Sequence, residues 1–418
     1  MLKQIKYYIF CAELLCPQLF SALSSLTGRK FAGSEGDSSY ILFCAMLAVL
    51  SIGIIYYEFI RFSVKLSPKH ILILLLLPLT ILCIYILEQT PNIRAKQMIL
   101  QFMIWGIPSI TIGVYLSINH TINQFKFPLI IYAVLIIIGL VKSWFFSFTE
   151  SLLRESDSGE TYQAAAYSSA ICYGIFLYFF IFKESLPKSL IRYKIVCIPL
   201  MILCIGIILL TGGRGGMVLT IIYTFTFLYI YQKKFHISLT TKLKVAIGII
   251  ISIMIIVQYV NNDPVLSQSS QRVFSYISDG GIDMSKTSHR DEAYSKAITN
   301  WNLSPYFGYG IFKYYEVNHN YPHNFFLEIL LQGGVILFAF YLVLLGLYLY
   351  KFAKIMHYVN NTIFLIIFLY PFINLMFSGT YIGSADFWFC VAYVVCYRLP
   401  SHNLKLSLYE QKHITYCQ

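Results

Sequence analysis

At 418 residues, 58% hydrophobic, only 12% charged and with a formal net charge of +12, the chain is too apolar for a soluble domain of its size. Its apolar runs, such as 71–87 and 245–260, are unbroken. That excludes the alternating strands of an outer-membrane barrel, each about 10 residues long, and points to helical spans of about 20.

In chain order the spanning-length runs are 7–26, 40–62, 70–88, 98–117, 127–149, 162–182, 193–211, 215–232, 242–260, 325–351, 361–378 and 380–398. The expected fold is therefore an all-α polytopic membrane protein of about 12 transmembrane helices. The first run follows Lys3 and Lys6, as in a signal peptide, but Glu13 and Pro17 interrupt it, so a retained first helix is expected. Most lysines and arginines then fall in alternate connections, among them Lys65, Lys69, Lys183, Lys188, Lys233, Lys234, Lys351 and Lys354. Positive residues stay on the cytoplasmic side, which puts both termini in the cytoplasm and the long polar loop 261–322 in the periplasm. The net charge is accounted for by topology and by anionic lipid, without a nucleic-acid partner. Residues 1–418 read as a single membrane domain with no internal repeat. The ten cysteines avoid the loop and act as small apolar residues.

Within the loop, Ser288 to Asp291 fits a helix-capping box, and Tyr294, Ala297, Ile298 and Trp301 follow at helical spacing. A short amphipathic helix is expected, with Arg290 in its first turn and its end at Pro305 and Gly308. The chain contains no GxxxxGK[ST], HExxH or GxSxG motif, so nucleotide hydrolysis, zinc proteolysis and ordinary serine hydrolysis have no support.

Polar motifs instead open three helices on the expected periplasmic side. Arg154 and Gly159 to Gln163 precede the sixth span, Thr211 to Gly216 the eighth, and His323-Asn324 the tenth. Helix N-termini favour anions, and arginine forks match phosphate oxygens, so a pyrophosphate is a natural guest. A neutral imidazole beside it could take a proton from a sugar hydroxyl. Each residue also has a plainer reading. Arg214 could anchor a turn to headgroups, His323 could cap its helix, and Tyr162 and Gln163 could simply mark a helix start. His319 and His323 have the spacing of a metal pair, but Pro322 disfavours one helical face, and no metal site is expected. Lys142, an ionisable group inside a span, either snorkels outward or lines a cavity, and the cavity is preferred.

Taken in order, the turn Thr211 to Gly216, then Arg290 with Ser304-Pro305-Tyr306-Phe307-Gly308-Tyr309-Gly310, then His323-Asn324 with Glu328 and Gly333-Gly334, resemble the bacterial O-antigen polymerase and O-antigen ligase superfamily. The resemblance extends over nearly the whole chain and includes the large loop between the ninth and tenth spans. It implies an inner-membrane glycosyltransferase of the GT-C type, acting on undecaprenyl-pyrophosphate-linked oligosaccharide without nucleotide, metal or other cofactor. It also implies roles: Arg214 and Arg290 on the donor pyrophosphate, His323 on the acceptor hydroxyl, and Arg154, Tyr162, Gln163, Asn324 and Lys142 as further substrate-binding residues. Gly159 to Ala164 and the H-N-F-F-L-E run resemble the polymerases, for which a chain-length regulator protein would be a further partner. The alternatives are a ligase that transfers the glycan to lipid A core, and a flippase for the same lipid-linked glycan. A flippase should spread its polar residues through both halves of the membrane, whereas these cluster at one face.

Overall fold

The computed structural model describes residues 2–28, 38–145, 161–182, 194–235, 277–278, 281–282, 290–358 and 362–399. Apart from a hairpin pairing Ile277–Ser278 with Gly281–Ile282, these residues form helices and their connections. The helices are α1 (Leu2–Leu14), α2 (Cys16–Thr27), α3 (Ser38–Arg61), α4 (Pro68–Glu88), α5 (Ile93–Asn119), α6 (Lys126–Phe145) and α7 (Tyr162–Ile181). They continue with α8 (Cys197–Thr211), α9 (Arg214–Phe235), α10 (Arg290–Leu303), α11 (Tyr314–Asn318), α12 (Phe325–Tyr358), α13 (Phe364–Phe377) and α14 (Ala385–Cys396).

Eight helices among the described residues are long and apolar enough to cross a membrane, or up to nine if α1 and α2 form one span. α13 and α14 are shorter apolar helices at the last two expected spans, and the expected span 242–260 lies outside the described residues. The first span is not the single helix expected. α1 and α2 meet at 88°, because Leu15 leaves helical geometry (φ −101, ψ 19) and Pro17 occupies the first turn of α2, where its missing N–H is tolerated.

The tenth span is also interrupted, at Gly333 (φ −141, ψ 18) and Gly334 (φ 60, ψ −161). The segment 304–310 fits into this break. Tyr309 N donates to Leu331 O and Gly310 N to Gln332 O, both at 2.8 Å, and Val335 N donates to Pro305 O at 2.8 Å. The backbones come so close that a Cβ on Gly308 would sit 2.6 Å from the backbone at Gln332, and one on Gly334 would sit 2.3 Å from Tyr306. Glycine is required at both positions by space and by positive φ. The backbone that directly follows this segment is held by Glu88, at the end of α4. Its carboxylate accepts from the backbone N–H groups of Ile311 (2.8 Å), Phe312 (2.7 Å) and Lys313 (2.7 Å).

Segments assigned to one side of the membrane meet at one end of the molecule. Lys6 binds the Glu58 carboxylate at 2.7 Å, and Tyr115 donates to the same group. Lys69 and Lys351 donate to the backbone carbonyls of Cys396 and Val395 at the end of α14, which a helix leaves unpaired. His120 stacks edge-on against Tyr397, tying the two clusters together. The loop helices α10 and α11 lie at the opposite end with the start of α12.

Removing the Glu88 carboxylate leaves backbone donors unsatisfied in a half-buried turn. Glu88→Ala is expected to destabilise the protein by about 3 kcal/mol, with Glu88→Gln intermediate because it keeps one acceptor oxygen. Thermal unfolding of the detergent-solubilised variants checks the order.

Candidate functional site

α7 and α9 pack against each other at their N-termini, and glycine makes this possible. α8 ends at Gly212 in the left-handed conformation (φ 65), and α9 begins two residues later at Arg214. A Cβ on Gly213 would lie 2.1 Å from the Ala166 Cβ, one on Gly215 would lie 1.9 Å from the Tyr167 hydroxyl, and one on Gly216 would lie 2.6 Å from the Ala166 carbonyl oxygen. The G-G-R-G-G run is thus a close-packed helix start that brings the Arg214 backbone against the first turns of α7.

A small pocket of about 20 Å³ opens there, lined by Tyr162, Gln163, Tyr167, Arg214 and Arg290 with the intervening glycines. Arg290, the first residue of α10, comes from the loop. Asn300 Nδ2 donates to Asn318 Oδ1 at 3.0 Å and the Tyr309 hydroxyl donates to the Asn300 carbonyl at 2.7 Å, which ties α10 to α11 and to the clamped segment. The Arg290 guanidinium stands 5.7 Å from the centre of the Phe377 ring. Four of the residues singled out in the sequence therefore share one pocket, which the N-termini of α7 and α9 border.

His323, just before α12, does not line this pocket but is near enough for the Arg290 charge to act on it. Asn324 caps that helix, its side-chain oxygen accepting from Phe326 N (3.0 Å) and Leu327 N (3.2 Å), and His323 adopts a left-handed backbone (φ 55) just before it. The imidazole packs edge-on to Tyr321, with ring centroids 4.6 Å apart. Burial, and then the nearby positive charge of Arg290, push its pKa down from 6.5 to about 4, so it is neutral at pH 7. His319 is exposed and ends α11 in the left-handed conformation, its backbone N–H bonded to the Tyr315 carbonyl at 2.9 Å.

The remaining sequence candidates lie elsewhere. Lys142 is exposed on α6, donates to the Leu26 carbonyl at 3.0 Å and does not line the arginine pocket. Arg154 lies outside the described residues. Sequence reasoning missed Tyr167 and Phe377. Tyr167 lies one helical turn beyond Gln163 on the same face of α7, so the i, i+4 spacing carried its signal. Phe377 sits in a span that reads as uniformly apolar.

Residues 199–342 match the family model Wzy_C, described as O-antigen ligase. The match supports the O-antigen ligase and polymerase superfamily. The matched stretch holds Arg214, Arg290, His323, Asn324 and the Gly333-Gly334 break, whereas Tyr162 and Gln163 lie before it. No curated protein matches the chain.

The packing gives a direct test. Gly216→Ala is expected to cost about 1–3 kcal/mol through overpacking against backbone and to lower activity by separating α7 from α9. Gly53→Ala, where an added Cβ meets nothing within 4 Å, serves as the control and is expected to be neutral. Unfolding midpoints of the two variants provide the comparison.

Proposed function

We propose that the protein is a membrane glycosyltransferase of the GT-C type. It transfers a growing glycan from undecaprenyl pyrophosphate to a sugar hydroxyl on the next lipid-linked repeat unit, at the periplasmic leaflet of the inner membrane. The observation that carries this is the meeting of Arg214 and Arg290 in one pocket, with a neutral His323 close enough to feel the Arg290 charge.

In the transfer, the bond between the anomeric carbon and the pyrophosphate oxygen breaks while the acceptor hydroxyl oxygen bonds to that carbon. The hydroxyl proton passes to His323, and undecaprenyl pyrophosphate leaves with its developing charge stabilised by the two guanidinium groups. The pocket has room for little more than a water, so the flexible arginine stems swing outward to admit the anion. The donor also adjusts the base: its negative charge offsets Arg290 and raises the His323 pKa from its resting value towards the working pH.

Tyr162 and Gln163 line the same pocket, and it is the resemblance of their sequence context to the polymerases that supports the polymerase reading. The alternative reading is a ligase that places the glycan on lipid A core, and the family match is common to both.

Complementation of a polymerase-null strain separates the two by product. Arg214→Ala and Arg290→Ala are each expected to lower transfer by about 10²–10³-fold and His323→Ala by about 10²–10⁴-fold, abolishing the glycan ladder at matched expression. Normal ladders from all three variants would sink the assignment. If complementation of a ligase-null strain succeeds where the polymerase-null strain fails, the second reading holds.

A pH profile tests the base independently. A general base works in its neutral form, so activity is present above its pKa and lost as pH falls through it. The acidic limb of kcat/KM, which reports the free enzyme, is expected near the His323 value of about 4. In Arg290→Ala the limb is expected to move up towards 6.5, because one of the two causes of the depression is gone.

A further inference from the structure

The arginine pocket holds a further polar group with no part in the transfer described above. Tyr167 lines it from α7, four residues beyond Gln163. Tyr167 is 5% exposed, and its hydroxyl has no hydrogen-bond partner among the described residues. A buried hydroxyl left this way costs free energy. Tyr173, on the same helix, shows the ordinary arrangement: it is also buried, and its hydroxyl bonds the Thr224 hydroxyl at 2.8 Å.

The Tyr167 hydroxyl is fixed in place from two sides. Behind it, the Tyr167 ring packs edge-on to the Tyr370 ring, with centroids 6.2 Å apart, and the Tyr370 hydroxyl accepts from Gln18 Nε2 at 3.1 Å. In front, the oxygen fills the space that a side chain at Gly215 would need, 1.9 Å from where its Cβ would stand. It therefore lies against the first turn of α9, whose N–H groups have no partners within the helix. Arg290 is near enough for its charge to act on both the Tyr167 hydroxyl and His323. A hydroxyl, two guanidinium groups and a helix start thus face one volume of about 20 Å³, room for about one water or one phosphate oxygen. Donors predominate there, and an acceptor bearing negative charge satisfies several of them at once.

We propose that the Tyr167 hydroxyl is a third donor to the departing pyrophosphate, alongside Arg214 and Arg290. The proposal rests on reading this pocket as the pyrophosphate site. The hydroxyl keeps its proton throughout and shares it in a hydrogen bond with a phosphate oxygen, while the proton of the sugar hydroxyl goes to His323 as before. That bond strengthens as the link between the anomeric carbon and the pyrophosphate oxygen breaks and charge builds up on the leaving group, so Tyr167 acts on the rate more than on substrate binding. A donor held ready in this way is unpaired at rest, which trades stability for activity.

The test compares Tyr167→Phe with Tyr173→Phe, each of which removes one oxygen from α7, in the full-length, detergent-solubilised protein. Three quantities are measured: the unfolding midpoint, the affinity for inorganic pyrophosphate by calorimetry, and steady-state transfer with lipid-linked repeat units purified from the host. Tyr167→Phe is expected to keep or raise the midpoint, because it removes an unpartnered polar atom. It is also expected to bind pyrophosphate about 10-fold more weakly and to lower kcat about 10²-fold with KM little changed. Tyr173→Phe is expected to do the opposite, lowering the midpoint by breaking the bond to Thr224 while leaving pyrophosphate affinity and transfer as in the wild type.

Wild-type pyrophosphate affinity in Tyr167→Phe would overturn the proposal. So would a midpoint that falls together with the activity, since the hydroxyl would then be a structural group. The two readings fail separately. Pyrophosphate binding that needs Arg214, Arg290 and the Tyr167 hydroxyl, in a protein that transfers no glycan, would keep the donor and reject the glycosyltransferase. Transfer that needs both arginines but is unchanged in Tyr167→Phe would do the reverse.

Discussion

The arrangement of the site depends on backbone meeting backbone at Gly333 and Gly334. A helix broken in the middle exposes N–H and C=O groups that must find partners, and inside an apolar protein water does not supply them. Here the segment Ser304 to Gly310 supplies them, with bonds of 2.8 Å from Tyr309 and Gly310 to Leu331 and Gln332. That segment continues from α10, which begins with Arg290, while the broken helix begins just after His323. The insertion thus fixes the register between an arginine and a histidine that lie far apart in sequence. Glu88 reinforces it from α4 through its backbone N–H bonds, and Glu328 does so from within, accepting from Tyr314 at 2.9 Å and from Thr380.

A second close approach places Arg214. Charged residues at a helix start are ordinary, but few can be brought against another helix without side-chain bulk keeping the backbones apart. Gly213, Gly215 and Gly216 remove that bulk, so α9 begins in direct contact with Ala166 and Tyr167. The positive ends of α7 and α9 and the guanidinium of Arg290 then act on a common volume. Helix dipoles held in this way present their positive ends to that volume.

The helical fold was legible because span-length apolar runs leave little freedom of interpretation, and each expected span within the described residues has a helical counterpart. The interruptions were harder to read. Pro17 was visible, yet the sharp bend it allows between α1 and α2 depends on packing partners. The glycine pair at Gly333-Gly334 announced a motif without revealing that another segment threads against it. Arg214, Arg290, Tyr162 and Gln163 could be found because polar residues at helix starts stand out against apolar runs. Lys142 drew attention because a charge inside an apolar run looks functional, and in the fold its ammonium donates to the Leu26 carbonyl.

The break in α12 also bears on how the protein tolerates different lipids. Membranes vary in hydrocarbon thickness, and long helices respond chiefly by tilting. In an uninterrupted helix a tilt of the stretch beyond Gly334 would swing His323 through a lever about 1.5 Å long for every residue between them. With Gly333 and Gly334 outside helical geometry, the 304–310 segment bonds both halves, Leu331 and Gln332 before the break and Val335 after it. The two halves are therefore joined through one loop segment, so the inclination of the long half is linked to the segment that also carries α10.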